Sequence, residues 1–165
     1  MDSWWGRWLR TPVTGHRGDV ALHIAAVAAA ILMVCSGLIH IHLWGIAYRH
    51  VPTLGPFFFV QAVTALVLAA VLVATRVVVV ALACIVLMVG TMVGFVLAVS
   101  VGIFGFTLQI VTAWAYEALS AELLSAIVLS VLVARSWRGA RATRVRRGSG
   151  GRDADHGRIE VTASH

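Results

Sequence analysis

Lysine is absent from this 165-residue sequence: its thirteen basic residues are all arginine, set against seven acids for a formal net charge of +6. Charge as a whole is scarce, at 12% of residues, which leaves little polar surface for a water-soluble domain. Two-residue alternation is missing too. A stretch such as "VVVVALACIVLMVG" is continuously apolar, whereas a membrane β-barrel needs alternating segments of about ten residues. Cysteine occurs twice, as Cys35 and Cys84 in different apolar runs. Counted from the basic ends of those runs, the two differ in depth by about 10 Å at 1.5 Å per residue, too far for a disulfide, whose Cα atoms lie within about 7 Å. No Gly-rich phosphate loop, CxxC, HExxH, GxSxG or nucleophile triad is present, so no motif points to an enzyme and none implies a cofactor.

What the chain does contain is apolar length. Sixty per cent of it is hydrophobic and the mean hydropathy is +0.92, well above a soluble domain. Four stretches reach the roughly 20 residues that a spanning helix needs: about 20–46, 56–74, 77–99 and 108–133. The expected fold is therefore all-α, a four-helix transmembrane bundle. The first run exceeds the 7–15 apolar residues of a signal peptide and no small-residue cleavage site follows "LWGIAYRH", so it reads as an uncleaved span. Twelve arginines fall in the N-terminal arm, the turn after the second span (Arg76) and the tail, against one, Arg49, on the other side. By the positive-inside rule both termini are cytoplasmic, in the plasma membrane. The pI near 11.0 does not argue for nucleic acid, because the arginines flank lipid.

Three segments follow from this division. Residues 1–19 form an arm in which Trp4 with Trp8, and Trp5 with Leu9, lie four apart among arginines; such a segment either lies amphipathically among headgroups or is a loose arm with anchoring tryptophans. Residues 20–133 are the membrane domain. Residues 134–165 form an Arg-, Gly- and Ser-rich tail that cannot bury a core and reads as disordered, with its part through Arg147 able to continue as a basic helix on anionic lipid.

Within the membrane domain, Trp44, Tyr48, Arg49, Pro52, Gly55 and Pro56 compose a stiff outer turn, Pro56 suiting the first turn of the second helix. "ATR" allows only a tight inner turn, which makes the second and third spans antiparallel neighbours. "SVGIFGFT" is the second outer turn. Gly90 and Gly94 in "GTMVG" have the small-xxx-small spacing of close helix packing, inside the bundle or against a second copy or a partner membrane protein.

The larger polar side chains at membrane depth are His23, His40, His42, Gln61, Glu117 and Glu122. Counting from the outer ends at about 1.5 Å per residue, His40 and His42 lie about 6–9 Å deep, Gln61 about 8 Å, Glu117 about 13 Å and Glu122 about 20 Å. This predicts a polar site in the outer half, where an imidazole meets Gln61 and Glu117. His40 and His42 point about 200° apart, so only one turns inward; His40, which shares its face with Ser36, is the expected one. Glu117 and Glu122 diverge by about 140°. Glu122 is open to two readings: a proton relay or solute coupling, or a protonated carboxyl bonded to a neighbouring hydroxyl or carbonyl.

Metal chemistry finds little to hold. All the span histidines are on the first helix, so bis-His haem within one chain is excluded. Met33, Cys35, Met88 and Met92 fall near mid-membrane and suit Cu(I) by ligand type, although methionine is more often an adaptable core filler.

The segment "GLIHIHLWGIAYRHVPTLGPFFFVQAV", residues 37–63, resembles a block in small, uncharacterised four-span membrane proteins of actinobacteria, spanning the end of the first helix, the outer turn and the start of the second. Strong resemblance covers less than a fifth of the chain. It implies that His42, Trp44, Tyr48, Arg49, Pro52, Gly55 and Pro56 form one structural unit, and it brings no activity with it. Where members of that group more often have Asn, this chain has Gln61. Composition and topology together favour a non-enzymatic accessory or assembly subunit; a proton-coupled transporter using Glu117 and Glu122, and a haem or copper binder, are the alternatives.

Overall fold

The computed structural model describes residues 4–13, 20–52, 54–102 and 113–162, with side chains placed up to residue 142. Most of the "SVGIFGFT" turn, the first residues of the expected fourth span (108–112), Arg17 and Thr53 lie outside the described residues. Among those described, the chain is helical and without strands: α1 (Trp4–Leu9), α2 (Val20–Leu43), α3 (Leu54–Thr75), α4 (Val78–Ser100) and α5 (Ala113–Thr162). The segments Val20–Tyr48, Leu54–Thr75, Val78–Ser100 and Ala113–Ala142 are long and apolar enough to cross a membrane. The protein is an all-α, four-helix, multi-pass membrane bundle.

Side-chain volume sorts the helix faces. Lipid is as apolar as leucine, so close packing rather than apolarity decides which face turns inward. Small residues recur every three or four positions along each seam: Ala26, Ala29 and Gly37 on α2, and Ala62, Ala65 and Ala69 on α3, are buried. Alternating steps of three and four keep one stripe facing the partner helices. Met33, Leu72, Met88, Leu129 and Leu132 fill the space between. Large apolar residues such as Ile31, Val60, Val86 and Ile127 remain exposed for lipid. At Gly37 a Cβ would sit 3.2 Å from the Ala62 carbonyl oxygen and 3.3 Å from Leu66 Cγ, so α2 and α3 meet almost backbone to backbone. Helix α2 packs on α3 and α5, and α4 on the same two, with the α3–α4 seam the loosest.

One end of the bundle is closed by the N-terminal arm. The Val13 N–H donates to the Arg76 carbonyl at 2.7 Å, and the Val78 N–H donates to the Thr11 carbonyl at 3.1 Å. Trp8 is buried and its ring lies 4.9 Å from that of Trp137 on α5, which Trp4 and Trp5 also approach at 5.6 and 5.0 Å. Arg141 covers Trp137 with its guanidinium 4.9 Å from the ring. The arm is docked on the end of the bundle, because its tryptophans have a fourth tryptophan to pack on and its backbone has the α3–α4 turn to bond. Arg76 reverses the chain there in the left-handed region, φ 52°. The helical backbone of α5 runs past Arg147 to Thr162, further than the extension that composition suggests; extending a helix already nucleated is far easier than starting one.

Candidate functional site

The seam that buries small residues also buries polar ones. On α2 the stripe through Met33 continues to Ser36, fully buried, and then to His40, which is 14% exposed. On α5 the stripe through Ala118 continues to Glu122 and Ser125, both buried. Where the stripes meet, the Ser36 hydroxyl donates to Glu122 Oε1 at 2.9 Å, and His40 Nε2 lies 3.8 Å from that oxygen. The His40 Nδ1 sits 2.9 Å from the Ser36 carbonyl oxygen. A carbonyl only accepts, so Nδ1 carries its hydrogen and Nε2 is the nitrogen turned toward the acid. Nε2 and the carboxyl thus face each other at a separation longer than a direct hydrogen bond. One turn deeper, the Ser125 hydroxyl donates to the Ala29 carbonyl at 3.3 Å and ties the same two helices.

A cavity of about 60 Å³ adjoins the cluster, lined by His40, Thr91, Glu122 and apolar side chains, and is roomy enough for water. Thr91 shares its hydroxyl between the Met88 carbonyl, at 2.8 Å, and the Glu122 carboxyl, of which it is a second side-chain partner beside Ser36. His40, Tyr48, Phe58, Thr91 and Phe95 also line a larger groove of about 690 Å³ between α3 and α4. The cluster thus reaches the lateral groove through His40 and Thr91.

The residues singled out in the sequence separate clearly. His40 turns inward while His42 is exposed, its ring 5.0 Å from Trp114, as a 200° divergence requires. The acid at His40 is Glu122; Glu117 is exposed. Depth counting favours Glu117 because it places the outer end of the first span at residue 46 and that of the fourth at 108. In the structure α2 leads into a wide turn reaching Tyr48, with the Arg49 N–H bonded to the Trp44 carbonyl at 2.9 Å, and the described part of α5 begins at Ala113. His40 and Glu122 are level, with Nε2 and Oε1 3.8 Å apart. Gln61 is buried on α3 away from the acid, and neither its amide nitrogen nor its amide oxygen has a hydrogen-bond partner among the described residues.

The outer-turn residues come together. Tyr48 stacks on Phe58 at 4.5 Å and Trp44 lies 5.2 Å from Phe59. The Gly55 N–H donates to the Val51 carbonyl at 3.0 Å and the Leu54 N–H to that of Pro52 at 2.8 Å, while Arg49 Nε donates to His50 Nε2 at 2.8 Å. Pro56 lies in the first turn of α3. Gly90 and Gly94 pack against nothing among the described residues, for a Cβ at either meets no atom of theirs within 4 Å. The soft-ligand set is dispersed: Met33 and Met88 are buried in the core, Cys35 is exposed, and Met92 is only partly buried. Among the described residues no three His, Cys, Asp or Glu side chains group as metal ligands. The small hydroxyls Ser36, Thr91 and Ser125 complete the site, and their signal in the sequence is only that each lies three or four residues from a buried neighbour on the same seam.

If His40 and Glu122 act on each other, His40→Ala and Glu122→Gln are expected to be non-additive in detergent stability by about 0.5–3 kcal/mol, as for contacting residues generally. His40→Ala with Glu117→Gln is expected to be additive. Coupling in the second cycle and not the first would assign the imidazole to the wrong acid.

No family model, curated protein or solved structure matches this chain.

Proposed function

We propose that this membrane protein is a small proton-coupled carrier in which Glu122 binds and releases the proton, Ser36 holds the carboxyl by its hydroxyl, and His40 exchanges the proton through Nε2. The observation that carries the reading is the Ser36–Glu122–His40 cluster, buried at membrane depth beside a cavity. Ionisable groups in spans are costly and sit where ions or protons move. An accessory or assembly subunit acting through helix contacts, which composition favours, is the second reading, in which the Ser36–Glu122 bond only ties α2 to α5. A copper site would have to gather Cys35 back from the exposed face. Glu117 has no part in the carrier site.

Purified protein in vesicles enclosing a pH-sensitive dye is expected to pass protons under an imposed gradient, with Glu122→Gln at the rate of empty vesicles and Glu117→Gln at the parent rate. Equal flux in parent and Glu122→Gln vesicles would end the carrier reading.

The orientation we propose has both termini in the cytoplasm of a cell bounded by the plasma membrane, with the tail arginines beyond Arg141 near anionic lipid. It rests on the arginine asymmetry and agrees with the N-terminal arm, the α3–α4 turn and Trp137 meeting at one end of the bundle. A reporter fused after His165 is expected to be active only if it is a cytoplasmic type; activity of a periplasmic type there would invert the topology.

A further inference from the structure

The α3–α4 seam opens sideways into a groove of about 690 Å³, a volume typical of small-molecule sites. Its walls are apolar, with phenylalanine rings from α3 and α4, and Gly90 and Gly94 leave one side without side chains. Gln61 lines it, 9% exposed, with amide nitrogen and oxygen both unpartnered among the described residues. An unpaired amide in a hydrocarbon setting is costly, and a plain acyl chain supplies nothing to relieve it. The threonine hydroxyls in the same groove, which Tyr48 also lines, are already committed as donors: Thr64 to the Val60 carbonyl at 2.7 Å and Thr91 to that of Met88 at 2.8 Å. Both threonine hydroxyls remain acceptors, while Gln61 offers an NH2 group with two donor hydrogens and a carbonyl acceptor.

We propose that this groove binds an uncharged long-chain amphiphile entering from the bilayer, whose head group carries a donor and an acceptor together, as an alcohol or an amide does. The chain lies along the open Gly90–Gly94 face and the head group meets the Gln61 amide. The ligand is neutral because no arginine or carboxylate lines the groove, His40 at its rim being the one basic side chain there, so a phosphate head would have no permanent counter-charge. The groove shares His40, Tyr48 and Thr91 with the proton cluster, but its recognition group, Gln61, is not part of that cluster, so alcohol-selective labelling is read separately from proton flux.

The test uses the full chain in vesicles and a diazirine-bearing long-chain alcohol as the photoprobe. Labelling is expected to map to residues 57–64 and 86–98, and unlabelled long-chain alcohol should displace the probe about fivefold better than its methyl ether, which lacks the donor, as one hydrogen bond allows. In Gln61→Leu that preference is expected to vanish. Gly94→Leu, which fills the groove where a new side chain meets nothing, is expected to abolish labelling while the melting temperature holds. Equal displacement by alcohol and ether in the parent protein overturns the proposal. So does labelling spread over all four helices, labelling unchanged in Gly94→Leu, or cross-linking that seats a second copy's α4 against Gly90.

Discussion

Glu122→Leu is expected to abolish proton flux while leaving the bundle more stable by about 1 kcal/mol. Glu122 is 2% exposed, and its carboxyl makes one hydrogen bond within 3 Å, from Ser36. Such a bond between membrane helices is worth about 0.6 kcal/mol on average and at most about 1.7. Losing both members of a buried polar contact is often neutral or favourable, whereas orphaning one is costly. Ser36 is not orphaned in the leucine variant, since a helical hydroxyl can turn back to the carbonyl four residues earlier, as Thr64, Thr75, Ser100 and Ser120 do in this protein. A residue whose removal stabilises the fold and stops the function is retained for the function. Thermal melting in detergent together with dye-loaded vesicles reads both quantities, and a loss of 2 kcal/mol or more would make Glu122 a structural residue.

Gly55→Ala is expected to destabilise the protein by about 2–3 kcal/mol, the upper part of the range for overpacking. The added Cβ would lie 2.6 Å from the Tyr48 carbonyl oxygen and 3.0 Å from that of Arg49. Both obstacles are backbone atoms of the same tight turn, so neither can swing aside. Relief requires the turn to open, and with it the Tyr48–Phe58 stack that walls both the small cavity and the groove. Proton flux should therefore fall with stability. Gly90→Ala is the control: its Cβ meets nothing, and alanine in a helix interior is favoured over glycine by about 0.5–1 kcal/mol. Equal melting temperatures for the two alanine variants would show that the turn is not closed around Gly55.

The four spans, the inward turn of His40 and the close-packed outer turn are legible in the sequence because each depends on local quantities: run length, 100° per residue, and the turn residues proline and glycine. The identity of the acid facing His40 is not. It depends on the vertical register of α2 against α5, which shifts with where each helix starts and with the wide turn at Trp44–Tyr48. Five residues of error exchange Glu122 for Glu117. The arm shows the same limit, since tryptophans spaced for a headgroup helix serve equally well to dock on Trp137. Gly90 and Gly94 carry a spacing that permits close packing, and only the assembled bundle shows that this face is left open.

The most direct test is infrared difference spectroscopy of the protein in lipid as the bulk pH is stepped. Beside the absorption of the other acids of the chain, one titrating carboxylic-acid C=O component is expected to shift in Ser36→Ala, because a hydrogen bond to the acid is lost, to persist in Glu117→Gln and to be missing in Glu122→Gln. A Ser36-sensitive component that survives Glu122→Gln, or that Glu117→Gln removes, would contradict a proton site built on Ser36, His40 and Glu122.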